Sequence, residues 1–348
     1  MLMAHNEQGT LIYTMQHSRQ ALQQLQQVST FFCPQCKAPV QLKLGAIMTP
    51  HFAHKVATSC TKLFSEGESE VHLAGKIQLY EWLQQRKLFV MLEPTIEGVT
   101  QRPDLLVMYG EQEYAIEFQC STISASTIKK RSAGYRAVGI VPIWIFKAPT
   151  FASYQAVIQQ RINKMYQAGA KDFILFYAPK TKTFTYASHL YRLYHDQFIV
   201  RLSRMPLTKQ HFPFYRPAPL TEEQRSYYAS CYQHANAHLV ANCLRFPRQP
   251  QALRLRTCAA DLRCALIDFT YSIPCALPHT LGADIVWQNE LHAYCKQVRC
   301  EVAAIEPHAF LQTYRYPVTD ENEKVLNYYC SEFARLRDQP LTELFAFS

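Results

Sequence analysis

The chain has 348 residues, of which 48% are apolar, 13% aromatic and 18% charged, with 21 Tyr and 20 Phe against only 10 Gly. Such a composition excludes a disordered or low-complexity chain and leaves room for two or three folded domains. The formal net charge is +9, unevenly spread: Thr122 to Arg256 carries 20 Lys/Arg against 4 Asp/Glu, and Glu301 to Ser348 carries 4 against 8, a pattern that points to a polyanion-facing surface.

At the start, Met1 to Thr10 is polar and lacks the apolar centre of a secretory signal. No apolar run approaches the roughly 18 residues of a spanning helix. The expectation is a cytoplasmic protein with no membrane span and with most of its 12 cysteines reduced. Thr10–Gln16 predicts a strand and Arg19–Val28 a helix. A Cys/His-rich segment follows, with Phe32-Cys33-Pro34-Gln35-Cys36, then His51-Phe52-Ala53-His54, then Cys60. Two thiolates two residues apart can grip one Zn²⁺ from a tight turn, and tetrahedral zinc needs four N or S ligands. Cys33, Cys36, His54 and Cys60 are the expected set, with His51 competing. A redox dithiol is the alternative, but no thioredoxin-like βαβ pattern surrounds the pair.

A helix is expected from about Ser65 to Arg86. On it Glu68, His72 and Lys76, four residues apart, would share one face. Leu88–Leu92, Leu105–Tyr109 and Tyr114–Gln119 read as strands, Ser124–Val138 as a basic helix and Val141–Phe146 as a strand. This αβββαβ order argues for an α/β sandwich on a mixed sheet. Further on, Phe151–Ala168 predicts a helix, Phe173–Tyr177 with Thr183–Tyr186 a hairpin, and Pro206–Pro219 a linker. Thr221–Leu244 predicts a helix, and the remainder reads as mostly helix. Cys231, Cys243, Cys258, Cys264, Cys275, Cys295, Cys300 and Cys330 lack metal-ligand spacing and are expected to pack as small apolar residues.

The chemistry concentrates in the central stretch. Arg102-Pro103-Asp104 leads into one strand, and the next ends Ile116-Glu117-Phe118-Gln119. Glu117 and Gln119 point to one face and Phe118 to the other. A hairpin brings Asp104 beside Glu117, where two carboxylates repel unless a cation lies between them. Mg²⁺ or Mn²⁺ is the natural partner for such oxygens. Lys129, Lys130, Arg131 and Arg136 on the next helix are candidate phosphate contacts, and Tyr135 is expected in the core or a groove. Arg245, Arg248, Arg254 and Arg256, interleaved with Phe246 and Leu255, suit single-stranded nucleic acid.

The layout αβββαβ, with Asp104 and then Glu117-x-Gln119 thirteen residues later, resembles the PD-(D/E)XK nuclease superfamily. More narrowly, Cys33-Pro34-Gln35-Cys36, His51-Phe52-Ala53-His54, Glu68-Ser69 with His72 and Lys76, Arg102-Pro103-Asp104, Glu117-Phe118-Gln119 with Ser121, and Arg131 with Tyr135 resemble the CoiA family of competence proteins, over about Phe31 to Phe146. The resemblance implies a zinc-knuckle module in residues 1–62, a restriction-endonuclease-like domain in 63–150, and a basic, mostly helical region in 151–348. It implies a metal-dependent phosphodiesterase that acts on DNA, single-stranded in the first instance, during recombination of incoming DNA, with the recombinase machinery as a candidate partner. In that reading Asp104 and Glu117 bind Mg²⁺ or Mn²⁺, Glu68 adds a ligand or holds water, and Gln119 orients the attacking water. Gln119 stands where the superfamily usually has Lys, so positive charge would come from Lys76, Lys129, Lys130 or Arg131. Two further classes are carried along: a catalytically silent DNA-binding or recombinase-loading adaptor, and a zinc-containing interaction protein.

Overall fold

The computed structural model describes residues 1–45, 48–54, 69–98, 101–149, 154–169, 172–193, 197–214, 216–269 and 272–345. It divides into two units. The first comprises Met1–Pro149, Leu175–Thr185 and Arg204–Tyr215; the second comprises Thr150–Ile174, Tyr186–Ser203 and Arg216–Ser348.

The first unit opens with a small antiparallel sheet. Its strands are β1 (Met3–Asn6), β2 (Leu11–Tyr13), β3 (Phe31–Phe32), β4 (Pro39–Lys43) and β5 (His51–His54), in the order β2-β1-β3-β4-β5. Helix α1 (Arg19–Val28) starts as its sequence predicts, because the Ser18 side chain accepts from Ala21 N–H at 3.2 Å. In β4 the burial alternates, and Val40 and Leu42 point inward with Leu22, Phe31 and Phe52. The predicted strand Thr10–Gln16 shortens to β2, and β1 was not foreseen because Met-Ala-His-Asn carries no β-rich pattern.

The second sheet holds the αβββαβ run: α2 (Glu70–Gln85), β6 (Phe89–Leu92), β7 (Leu105–Tyr109), β8 (Gln112–Gln119), α3 (Ala125–Ala137) and β9 (Val141–Lys147). After α4 (Tyr154–Gln167) come β10 (Phe173–Ala178), β11 (Thr183–Arg192) and β12 (Phe198–Pro206), whose residues are divided between the two units. The strand order is β12-β11-β10-β9-β8-β7-β6, with β6–β7–β8 antiparallel and β8–β9–β10 parallel. Alternation in β8 sets which helix covers which face. Phe118 faces α2, where Gly75 leaves room for its ring: a Cβ there would clash with Phe118 Cε1. Ala115 faces the other way, onto Tyr135 of α3 with Leu106 and Ile140.

The stretch Pro206–Pro219, expected as a linker, is instead partly core. Arg204–Tyr215 belongs to the first unit, and buried Phe212 and Phe214 lie against Trp82, with Phe214 stacked at 5.9 Å. Its aromatic side chains, not its prolines, decide its fate.

The second unit is helical beyond its strands: α5 (Glu222–Arg245), α6 (Pro250–Leu262), α7 (Asp284–Val298), α8 (Pro307–Thr313), α9 (Asp320–Leu336) and α10 (Leu341–Leu344). Thr221 and Gln224 close a reciprocal capping box at the start of α5. Trp287, Leu291, Phe310 and Leu326 form one core, which also takes in Cys275, Cys295 and Cys330; Cys243 and Cys258 pack in a second. Cys231, Cys243, Cys258, Cys264, Cys275, Cys295, Cys300 and Cys330 are free thiols. Among the described residues, no helix is long and apolar enough to cross a membrane.

Candidate active site

The Cys/His module is built from a turn and a strand. After β3, Cys33 N–H donates to Ala38 O at 2.8 Å and Lys37 N–H to Cys33 O at 3.0 Å, with Lys37 left-handed at φ 58°. This tight turn brings both thiols to one side. In β5, His51 and His54 are three residues apart, so they fall on opposite faces, and His54 shares its face with buried Phe52. Cys36 Sγ lies 3.3 Å from His54 Nε2, and the ligand atoms of Cys33, Cys36 and His54 all lie within 4.8 Å of one another. His51 Nδ1 donates instead to Thr49 O at 2.9 Å. Cys60 lies outside the described residues. Burial, then the positive amino terminus and Arg102, lower the His54 pKa and favour the neutral imidazole that metal ligation requires. Two thiols and an imidazole within reach of one another fit a structural metal.

Asp104 and Glu117 lie at one end of the β7–β8 hairpin. Leu105 pairs with Ile116, so Asp104 and Glu117 are the next two residues along the ladder. Asp104 Oδ2 accepts from Phe118 N–H at 2.8 Å and from His72 Nε2 at 3.2 Å, while Lys76 Nζ lies 3.6 Å from Oδ1. Burial pushes the Asp104 carboxyl up, but the charges of His72 and Lys76, with the hydrogen bonds from His72 and Phe118, hold it well below the usual carboxylate range.

Glu117 is 5% exposed. Its Oε1 accepts from Tyr135 O–H at 2.5 Å and from Arg131 Nη2. Burial raises its pKa; Arg131 opposes the rise, and the Asp104 charge adds to it. Burial would lower Arg131, but Glu117 outweighs this and raises it. The two acids thus sense each other, yet neither is bare as the sequence alone suggests, since each has cations and donors of its own. Among the described residues, the hydrogen bonds to these acids fall on Asp104 Oδ2 and Glu117 Oε1. Asp104 Oδ1, with the Lys76 ammonium in ion-pair range, and Glu117 Oε2 accept no hydrogen bond among the described residues; carboxylate oxygens are the kind of ligand Mg²⁺ takes from proteins.

The other predicted residues distribute around this centre. Gln119, on the Glu117 face, donates from Nε2 to Ser121 Oγ at 2.7 Å. The Ser69 side chain accepts from His72 N–H at 3.3 Å and caps α2, which begins at Glu70. Ser65 and Glu68 lie outside the described residues; His72 and Lys76 of the predicted face lie on the helix. Lys76 is wholly buried and ion-paired with Glu93. On α3, Ile128, Ser132 and Tyr135 face the sheet, Arg131 turns inward to Glu117, and Lys129, Lys130 and Arg136 are exposed. In the second unit, Arg254 is paired with Glu290 and Leu255 is buried, whereas Arg245, Phe246, Arg248 and Arg256 are exposed.

Sequence reasoning missed Glu93 altogether. It follows β6 within Leu92-Glu93-Pro94, which reads as a plain strand exit, and its partners are distant in sequence. Tyr135 was expected in the core, but not as a donor to Glu117.

Two family models match the chain: one described as the N-terminal domain of competence protein CoiA, over residues 14–62, and one described as its nuclease-like domain, over residues 68–215. The competence protein CoiA of Bacillus subtilis (strain 168) is 35% identical over 184 residues, which are 51% of this chain and 48% of that protein. The match thus spans about half the length of that curated relative. No solved structure matches.

Proposed function

The chain belongs to the CoiA family of competence proteins, and on that premise we propose that residues 63–150 are a restriction-endonuclease-like domain that hydrolyses DNA with Mg²⁺ or Mn²⁺ during recombination of incoming DNA in natural competence. The observation that carries this reading is the placement of Asp104 and Glu117 just beyond the Leu105–Ile116 pair, each with one carboxylate oxygen that accepts no hydrogen bond among the described residues. The order α2-β6-β7-β8-α3-β9, antiparallel and then parallel, supports the nuclease-like core.

In this reading Asp104 and Glu117 would hold the catalytic ion, and Glu68 would add a ligand or hold a water. When bound, the ion supplies Lewis-acid polarisation of the phosphate and of the attacking water. Gln119 orients that water through its amide. Arg131, seated on Glu117, supplies the positive charge that Gln119 lacks, since Lys76 is buried and shared between Glu93 and Asp104. Exposed Lys129, Lys130 and Arg136 hold flanking phosphates. Zn²⁺ on Cys33, Cys36, His54 and Cys60 would be purely structural, with no open position for chemistry. The basic region 151–348 engages single-stranded DNA or the recombinase machinery, in the cytoplasm.

One observation favours the adaptor reading in its place: Arg131 and Tyr135 both occupy Glu117 Oε1, as in a site that has exchanged a metal for a guanidinium. A cleavage assay separates the two. Labelled single-stranded and duplex DNA should be cut by the full chain with Mn²⁺ or Mg²⁺, and Asp104→Ala should abolish cutting while leaving DNA binding largely intact. DNA that is bound but never cut, with every divalent cation tried, establishes the adaptor.

A further inference from the structure

Glu93 is 1% exposed and follows the last residue of β6 in a left-handed conformation, φ 47°. Side chains other than glycine's rarely adopt that region, and such strain gathers where a side chain must be aimed. Its N–H donates to Asp104 O at 2.9 Å, which fixes its backbone beside the candidate centre. One carboxylate oxygen, Oε1, contacts the Lys76 ammonium. The other, Oε2, accepts from Leu2 N–H of the N-terminal module at 3.3 Å and lies 3.7 Å from Arg102 Nη2.

Lys76 has no exposed surface, and a buried ammonium requires a counter-charge. Two described carboxylates lie within reach: Glu93, in contact, and Asp104, whose Oδ1 is 3.6 Å away. That oxygen is in ion-pair range of the ammonium but beyond hydrogen-bond distance. Whether the ammonium closes on it therefore decides how readily Asp104 can take a metal. We propose that Glu93 is a positioning residue: it holds the Lys76 ammonium short of a hydrogen bond with Asp104 Oδ1, so that a divalent cation can compete for that oxygen. Leu2 and Arg102 lock the carboxylate in that task. The consequence for metal rests on the reading of Asp104 and Glu117 as metal ligands; the hold on Lys76 does not.

The test uses the full, zinc-loaded chain as wild type, Glu93→Gln and the double variant Lys76→Met/Glu93→Gln, with crystal structures and Mn²⁺ titrations of each. In Glu93→Gln, Lys76 Nζ should settle at hydrogen-bond distance from Asp104 Oδ1, and Mn²⁺ affinity should fall by about 10–100-fold, the usual cost of losing an outer-shell partner. In the double variant the competing ammonium is gone, and Mn²⁺ should bind at least as tightly as in wild type. A Lys76 that stays in place in Glu93→Gln, or a double variant as weak as Glu93→Gln, overturns the proposal. Should Glu93→Gln fail to fold, the double variant decides alone, since Mn²⁺ binding weaker than wild type contradicts the role. If wild type takes up no Mn²⁺ while Glu93→Gln still moves Lys76 onto Asp104, the metal-centre reading fails and the hold of Glu93 on Lys76 stands.

Discussion

Asp104 keeps its charge in a largely buried position because Lys76, His72 and the Phe118 N–H surround it. Its folded pKa lies below the ordinary value of 3.8, so its contribution to stability is present above that value and is lost as the pH falls toward the depressed one. Asp104→Asn should therefore destabilise the protein near neutral pH by about 1.5–3 kcal/mol, the scale of a hydrogen bond to a charged group. Urea unfolding across pH should show the gap to wild type closing below about pH 4; a gap that stays constant into acid would mean that the charge of Asp104 does no stabilising. Two carboxylates on a hairpin, read from sequence, predict the reverse, since removing one relieves repulsion. The positions of Asp104 and Glu117 were legible because strand alternation and a short turn fix them locally. The counter-charges were not: Lys76 and Glu93 are 17 residues apart, and Arg131 is 14 from Glu117, so which cation meets which acid is settled only by how α2 and α3 pack on the two faces.

At the scale of elements, α3 shows how one helix serves two purposes. Ile128, Ser132 and Tyr135, at spacings of four and three, bury against the sheet, and Arg131 follows them to Glu117. Lys129 and Lys130 point outward. The double variant Lys129→Ala/Lys130→Ala should leave the fold intact and make the log–log salt dependence of DNA binding shallower by up to about 2, since each phosphate that a cation neutralises releases close to one counterion. An unchanged slope would move the DNA surface to the exposed arginines around Phe246. Arg131 is best left out of that variant, because its removal uncovers Glu117. Elements such as α1, β7 and α3 were readable to within a residue or two. β1 and β12 were not foreseen, and Pro206–Pro219 was read as a linker because prolines signal irregular chain while the packing of Phe212 and Phe214 on Trp82 is invisible locally.

At the scale of the whole molecule, the first unit joins the small Cys/His sheet to the nuclease-like sheet, and the Leu2–Glu93 hydrogen bond is one physical tie between them. Purified protein should carry about one Zn²⁺ per chain, the stoichiometry of a four-ligand structural site. Cys33→Ser should lose that metal and loosen the N-terminal sheet, as read by metal analysis and thermal unfolding. Full zinc occupancy in a Cys33→Ser/Cys36→Ser variant would remove these thiols from the ligand set. The basic middle and acidic tail of the chain were evident from composition, but composition does not tell paired from exposed charge: Arg254 belongs to Glu290, whereas Arg245 and Arg248 stay at the surface.

The claim on which the rest depends is that Asp104 and Glu117 share a divalent cation, and anomalous diffraction from crystals soaked in Mn²⁺ tests it most directly. The account predicts a peak at coordination distance, about 2.0–2.2 Å, from Asp104 Oδ1 and Glu117 Oε2, the separation a small hard cation adopts with oxygen ligands. Lys76 should remain on Glu93 beside it. An empty map between the two carboxylates, with Arg131 still seated on Glu117 and Lys76 drawn onto Asp104, would contradict it.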